Sequence, residues 1–234
     1  MDIVLVPGFW LDASSWDAVA PTLTEAGHRV HPVTLPGLES AETPRAGIGL
    51  ADHIAAVVRL VDGLEGPVVL VGHSGGGAVI HAVADARPER IARNIYVDSG
   101  PLGEGGSIND ELPEEGDEVP LPPWDGFEEA DLRDLDEDLR DAFRARAIPE
   151  PRGVAQDPQR LHDVRRYAVP ATVIACAYPS ALLQEWIDAG HPYVAELARI
   201  RDVEFVDLPT GHWPQFTKPA ELAAAILSAV DRTA

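Results

Sequence analysis

Apolar residues along this chain fall into two arrangements, short unbroken runs and longer stretches spaced by three and four. The runs at residues 3–6 and 68–71 predict strands, the second a buried one, and residues 28–33, 91–97, 169–177 and 203–206, where polar residues interrupt the apolar ones, predict further strands. Between the runs, apolar positions return at helical spacing. Trp16, Val19 and Leu23 mark a helix over 12–26, and Ile54, Val57, Val58 and Val61 mark one over 50–64. The Ala/Val/Ile-rich stretch to Ala86, then 181–188, 193–200 and 219–230, are helical as well. Strands alternating with helices predict an α/β fold with a mainly parallel sheet covered by helices on both faces.

From residue 100 to 166 the pattern changes. Proline, glycine and acid replace the alternation, and only 132–147 keeps helical character. Residues 104–141 hold 16 acidic side chains against two arginines, a local charge of −14 out of the chain's −21. We read 100–166 as an acidic insertion lying over the carboxyl edge of the sheet, a lid on a single domain whose core is 1–99 and 167–234. Acidic, aromatic-free sequence such as 104–120 also suits disorder, whereas Trp124 and Phe127 argue for packing from there on.

A length of 234 residues, 45% hydrophobic content and a mean hydropathy of −0.06 suit one soluble domain with a sizeable core. The negative charge makes nucleic acid and anionic membrane surfaces poor partners. No stretch approaches the roughly 20 apolar residues of a membrane span. The amino terminus lacks the form of a secretion signal, since Asp2 is acidic and the run that follows is short. A lone cysteine, Cys176, forms no internal disulfide, and the protein is expected to be cytoplasmic. No Cys/His cluster has metal-ligand spacing and no phosphate-binding glycine loop occurs, so neither metal nor cofactor is expected.

The strand at 68–71 runs directly into Gly72-His73-Ser74-Gly75-Gly76 and then into a helix. So abrupt a strand-to-helix corner strains its central residue, and small flanking residues alone leave room for it. Ser74 is thereby pushed out above the sheet. In this G-x-S-x-G elbow, with strand before and helix after, the chain resembles the α/β-hydrolase superfamily, esterase-like serine hydrolases in particular, with Ser74 at the nucleophile position. The resemblance covers 1–99 and 167–234 and implies a cap inserted after the family's sixth strand.

A serine hydroxyl needs a base within hydrogen-bond reach to act as a nucleophile at neutral pH. The resemblance places that base in the loop between the last strand and the last helix, where Gly211-His212-Trp213 stands. The family mostly sets the acid shortly after its seventh strand, but Pro179 and Ser180 occupy that place here. Some relatives, certain haloalkane dehalogenases among them, draw it from the end of the preceding strand, which is Asp98. A shifted Glu185 or Asp188, or a Ser–His pair without an acid, are the other possibilities, and an aspartate at a strand end also suits a loop cap.

By the same resemblance, the backbone N–H groups of Gly75 and Phe9 form the oxyanion hole, with Pro7 in place of the histidine that usually precedes the loop glycine. Trp10, Trp124 and Trp213 are candidate walls of the substrate site, or core residues. The activity implied is hydrolysis of a small uncharged carboxylic ester through an acyl-enzyme, with a small-molecule ester as the expected partner. Thioester, lactone or carbon–carbon bond hydrolysis and perhydrolysis use the same residues, and a non-enzymatic receptor of the same fold is the other alternative. Hydroxynitrile-lyase relatives carry lysine directly after the catalytic histidine, where this chain has Trp213. A serine nucleophile excludes the dehalogenase and epoxide hydrolase chemistries, which need a carboxylate there.

Overall fold

A computed structural model describes residues 1–233. Its strands β1 (Asp2–Val6), β2 (Arg29–Pro32), β3 (Val68–His73), β4 (Ile91–Val97), β7 (Ala171–Ala175) and β8 (Val203–Asp207) form one sheet in the order β2-β1-β3-β4-β7-β8. Every neighbouring pair is parallel. β1, β3 and β7 are buried at every position, which explains why their sequences are mostly apolar without alternation.

Alternate residues of each strand feed two separate cores. Ile3, Leu5, Val69, Val71, Ile95 and Ile174 pack with Trp16, Leu23, Leu222 and Ile226, so this face is covered by α1 (Ala20–Glu25) and α8 (Pro219–Asp231). Val4, Val6, Val68 and Leu70 pack on the other face against α2 (Leu50–Gly63) and α3 (Gly76–Ala86). The period of two that sends side chains to opposite faces thus builds a three-layer structure.

The chain passes from β1 to β2 on one side and returns to β3 on the other. β1 is therefore the point where strand order reverses, and the carboxyl ends of β1 and β3 border the crevice that α/β sheets use for ligands. Pairing of Val6 with Gly72 and of His73 with Val97 brings the ends of β1, β3 and β4 level.

Two predicted helices differ in the structure. Residues 12–26 divide into a 3₁₀ turn at Ala13–Trp16, capped by the Asp12 carboxylate on Ser14 N–H (2.9 Å), and α1. Pro21 has no N–H for a bond to the preceding turn, so the helix restarts with proline in its first turn. The stretch 193–200 forms 3₁₀ turns at Pro192–Val194 and Leu197–Arg199, with Glu196 between them bonded to His81 and Arg166.

Between β4 and β7 lie a two-residue antiparallel ladder of β5 (Glu118–Val119) and β6 (Glu150–Pro151), then α4 (Glu137–Arg146) and α5 (Arg152–Gln156). A ladder this short leaves no alternation to read. The acidic stretch is ordered by backbone bonds that close it on itself: Gly105 N–H to Gln159 O (2.9 Å), Gln159 N–H to Gly106 O (2.7 Å) and Asn109 N–H to Ala155 O (3.0 Å). An aromatic cluster of Trp124, Phe127, Phe143, Trp213 and Phe216 joins it to the rest of the chain. The last helices are α6 (Ser180–Asp188) and α7 (Pro214–Thr217).

Candidate active site

Three residues with positive φ stand in the loops that leave β1, β3 and β4: Trp10 (64°), Ser74 (50°) and Asp98 (42°). Such a backbone costs about 1–3 kcal/mol per residue and persists only where its surroundings enforce it. At Ser74 the constraint is packing. A Cβ on Gly72 would meet the Gly76 carbonyl oxygen at 2.5 Å, and one on Gly76 would meet that of Pro7 at 2.6 Å, so the elbow closes only around glycine. Ser74 N–H donates to Val97 O (3.2 Å), and the hydroxyl of Ser99 donates to Ser74 O (2.6 Å).

His212 follows β8 and precedes α7, and its main chain is held from two sides. Its N–H donates to Asp131 O (2.8 Å), and its carbonyl accepts the Nε2–H of His73 (2.6 Å). The ring then lies with Nε2 2.8 Å from Ser74 Oγ and Nδ1 2.6 Å from Asp98 Oδ2. The other oxygen of Asp98 accepts the N–H groups of Cys176 (3.0 Å) and Ala177 (2.9 Å). Burial opposes a charge on Asp98, yet the His212 hydrogen bond, the His212 charge and these two amides together hold its pKa below the ordinary aspartate value. Burial also opposes a charge on His212, and Asp98, helped by Asp131, outweighs it and raises the imidazole pKa. Asp98 is therefore an ionised partner for a histidine that gains a proton readily.

The other candidate acids are elsewhere. Asp188 accepts from Gln184 on the exposed face of α6, where Glu185 also lies. Ser180, at the position the family mostly gives to its acid, donates from N–H (2.7 Å) and hydroxyl (2.8 Å) to Asp207 at the end of β8.

A cleft of about 780 Å³ opens over Ser74, bordered by Phe9, Trp10, Gly75, Leu112, Phe127 and Tyr193. The Phe9 and Gly75 amides donate to no other protein atom among the described residues. Of the three tryptophans, only Trp10 lines this cleft. Trp213 is 1% exposed and packs edge-on against the His212 ring at 5.1 Å, within the aromatic cluster. Trp124 packs against Phe127 with tilted rings 5.6 Å apart and borders a separate surface depression. Both are packing residues and not walls of the cleft, because the cluster that joins 100–166 to the rest of the chain consumes their faces.

Several neighbours of the site gave no signal in the sequence. His73 sits inside the elbow motif, where it reads as a spacer. Its Nε2–H is donated to His212, its Nδ1 has no partner, and burial, reinforced by the His212 charge, pushes its pKa down to about 3, so it stays neutral. Asp131 is one acid among sixteen in its run, and nothing but the fold sets it beside His212. Glu104, Glu128 and Glu196 also border the cleft, with Arg199 as the nearby cation. Among the described residues no group of three or more His, Cys, Asp or Glu side chains is placed to hold a metal ion, and no helix is long and apolar enough to cross a membrane.

Comparison with known proteins agrees with this architecture. A pyrethroid hydrolase of Sphingobium wenxiniae is 27% identical over 254 aligned positions, which take in 100% of this chain and 89% of the relative. A carbendazim hydrolyzing esterase of a Nocardioides species is 35% identical over 52% of this chain and 49% of its own length. Among solved structures, an extracellular alpha/beta-hydrolase from a Paenibacillus species superposes with a TM-score of 0.77 at 23% identity, covering 98% of each chain. A pyrethroid hydrolase from Sphingobium faniae gives 0.71 at 22% identity, over 99% of this chain and 97% of that one. The model of the alpha/beta hydrolase family matches residues 3–225, and the chain belongs to that family.

Proposed function

We propose that this protein is a serine hydrolase that cleaves a small uncharged carboxylic ester, with Ser74 as nucleophile, His212 as base and Asp98 as the acid that orients it. The observation that carries this reading is the continuous line from Ser74 Oγ through His212 to Asp98, at 2.8 and 2.6 Å. Its relatives named for hydrolysis, a pyrethroid hydrolase and a carbendazim hydrolyzing esterase, support the reaction class.

In this reaction Ser74 Oγ attacks the ester carbonyl carbon while its proton passes to His212 Nε2. The carbonyl π pair moves onto oxygen, and the N–H groups of Phe9 and Gly75 are the donors free to receive that charge. Asp98 keeps Nδ1–H directed at itself and stabilises the imidazolium. Collapse of the tetrahedral species breaks the bond to the alkoxy oxygen, which takes the proton from Nε2 and leaves as the alcohol. Water then gives a proton to Nε2 and attacks the acyl carbon, and Ser74 departs with its proton restored as the carboxylic acid is released.

A cleft of about 780 Å³ lies within the common range for small-molecule sites, and Phe9, Trp10 and Phe127 give it an apolar wall. The acidic side chains around it disfavour anionic esters, an effect screened beyond about 8–10 Å at ordinary salt. Residues 100–166 serve as the cap over this cleft. The direct test is Ser74→Ala with p-nitrophenyl acetate: turnover is expected to vanish, and retained turnover contradicts the assignment.

A further inference from the structure

Beneath the Phe9–Trp10 loop lies a buried carboxyl group that the reaction above does not use. Glu150, in β6, is 1% exposed, and its Oε2 accepts the N–H of Trp10 at 3.2 Å. We propose that Glu150 is a positioning residue for the oxyanion hole, fixing the Trp10 peptide and with it the direction of the Phe9 N–H. This inference rests on reading the Phe9 amide as an oxyanion donor.

Trp10 is a bulky residue at φ 64°, a conformation that such side chains seldom adopt without enforcement. Three hydrogen bonds enforce it, and all come from the segment between β4 and β7. Glu150 takes its N–H, the carbonyl of Val119 takes its indole N–H at 3.0 Å, and Ile148 N–H donates to its carbonyl at 3.0 Å. Val119 and Glu150 are themselves paired in the β5–β6 ladder. The Trp10 end of the loop that carries Phe9 is thus moored to the cap. Phe9 has little freedom of its own, since its ring lies where a side chain on Gly75 would begin.

The other oxygen of Glu150 faces Nδ1 of His53 at 3.9 Å. His53 donates Nε2–H to Pro36 O (2.8 Å), which leaves Nδ1 as a lone pair on the side of Glu150, so no positive charge meets that carboxyl. Arg45 is the nearest cation, and its guanidinium is already committed to Glu118 and to the carbonyls of Ser40, Thr43 and Pro149. Burial pushes Glu150 up to about 8 and His53 down to about 4, in keeping with a neutral pair. Glutamine has nearly the same shape, carries no charge and keeps an oxygen that can accept the Trp10 N–H. Leucine would leave the Trp10 N–H buried without a partner.

The test compares Glu150→Leu and Glu150→Gln with wild type at pH 7, measuring p-nitrophenyl acetate kinetics and inhibition by a trifluoromethyl ketone, which forms a tetrahedral oxyanion on the serine. In Glu150→Leu, kcat is expected to fall by about 10²-fold with KM unchanged, the loss that a misplaced catalytic group brings. Affinity for the ketone is expected to fall by the same factor, while Glu150→Gln keeps both. A folded Glu150→Leu protein with wild-type kcat, or a Glu150→Gln variant as impaired as the leucine one, overturns the proposal. Should Glu150→Leu fail to fold, Glu150→Asp, one methylene shorter, withdraws the acceptor from the Trp10 N–H and is expected to lower kcat at unchanged KM, and undiminished kcat overturns the proposal. A wild-type protein without esterase turnover removes the reading beneath the inference, and the inference with it.

Discussion

On the two sides of Ser74 the protein buries a carboxyl group, and the two have opposite acidities. Asp98, on the histidine side, accepts two backbone amides and faces an imidazole that can carry a charge; its pKa is lowered in spite of burial. Glu150, on the loop side, accepts one backbone amide and faces a histidine that burial keeps neutral; its pKa rises to about 8. Burial acts in the same direction on both, so the number of donors and the partner's ability to become positive decide the outcome. One carboxyl serves as a charge, the other as an uncharged acceptor for a backbone amide.

Replacing each by its amide sharpens that contrast. Asp98→Asn is expected to cost on the order of 10⁴ in kcat, because an amide can present N–H to Nδ1 and hold the wrong tautomer. The pH profile carries a second signature. His212 works as a neutral base and its pKa is raised by Asp98, so kcat/KM in wild type should climb through a midpoint above the ordinary imidazole value of about 6.5. In Asp98→Asn the residual activity should climb at lower pH, and an unmoved midpoint would assign the shift to another group.

A smaller effect is expected on the same side from His73→Leu. It removes the donor to the His212 carbonyl, leaving that buried acceptor unpaired at a cost of about 1–3 kcal/mol. Denaturant unfolding measures it, and an unchanged midpoint would mean the carbonyl finds another donor.

The least perturbing change is Glu150→Gln, and its effect lies in stability. Below the carboxyl pKa of the unfolded chain, about 4.3, both states hold the proton and the residue adds no pH dependence. Between there and about 8 the unfolded chain releases it while the folded one retains it, so wild type loses stability as pH rises, levelling off above about 8. Glutamine does not titrate. The Tm advantage of Glu150→Gln over wild type should therefore widen from pH 5 to pH 8, and a constant gap would contradict a raised Glu150. Asp98 has the opposite sign: its stabilisation is present above the unfolded aspartate value and disappears as pH falls through its lowered folded one.

What could be read in the sequence follows from this physics. Buried parallel strands announce themselves as apolar runs, and the elbow announces itself because glycine alone fits at 72 and 76. Asp98 could be named, but as one of several acids, since a strand-end aspartate has other uses. Trp124 and Trp213 show where such reading fails. A tryptophan beside a functional residue looks the same in sequence whether it faces a ligand or, as here, an aromatic cluster. Glu150 left no mark because its partner Trp10 lies 140 residues away and the strand that holds Glu150 is only two residues long.

The central claim is that His212 activates the Ser74 hydroxyl. Its most direct measurement is mass-spectrometric mapping of the adduct formed with a fluorophosphonate probe, in wild type and in His212→Ala. The account predicts a single adduct on Ser74 that forms quickly in wild type and is nearly abolished in the variant. Ester hydrolysis by a protein whose Ser74 stays unmodified, or equal labelling without His212, would contradict it.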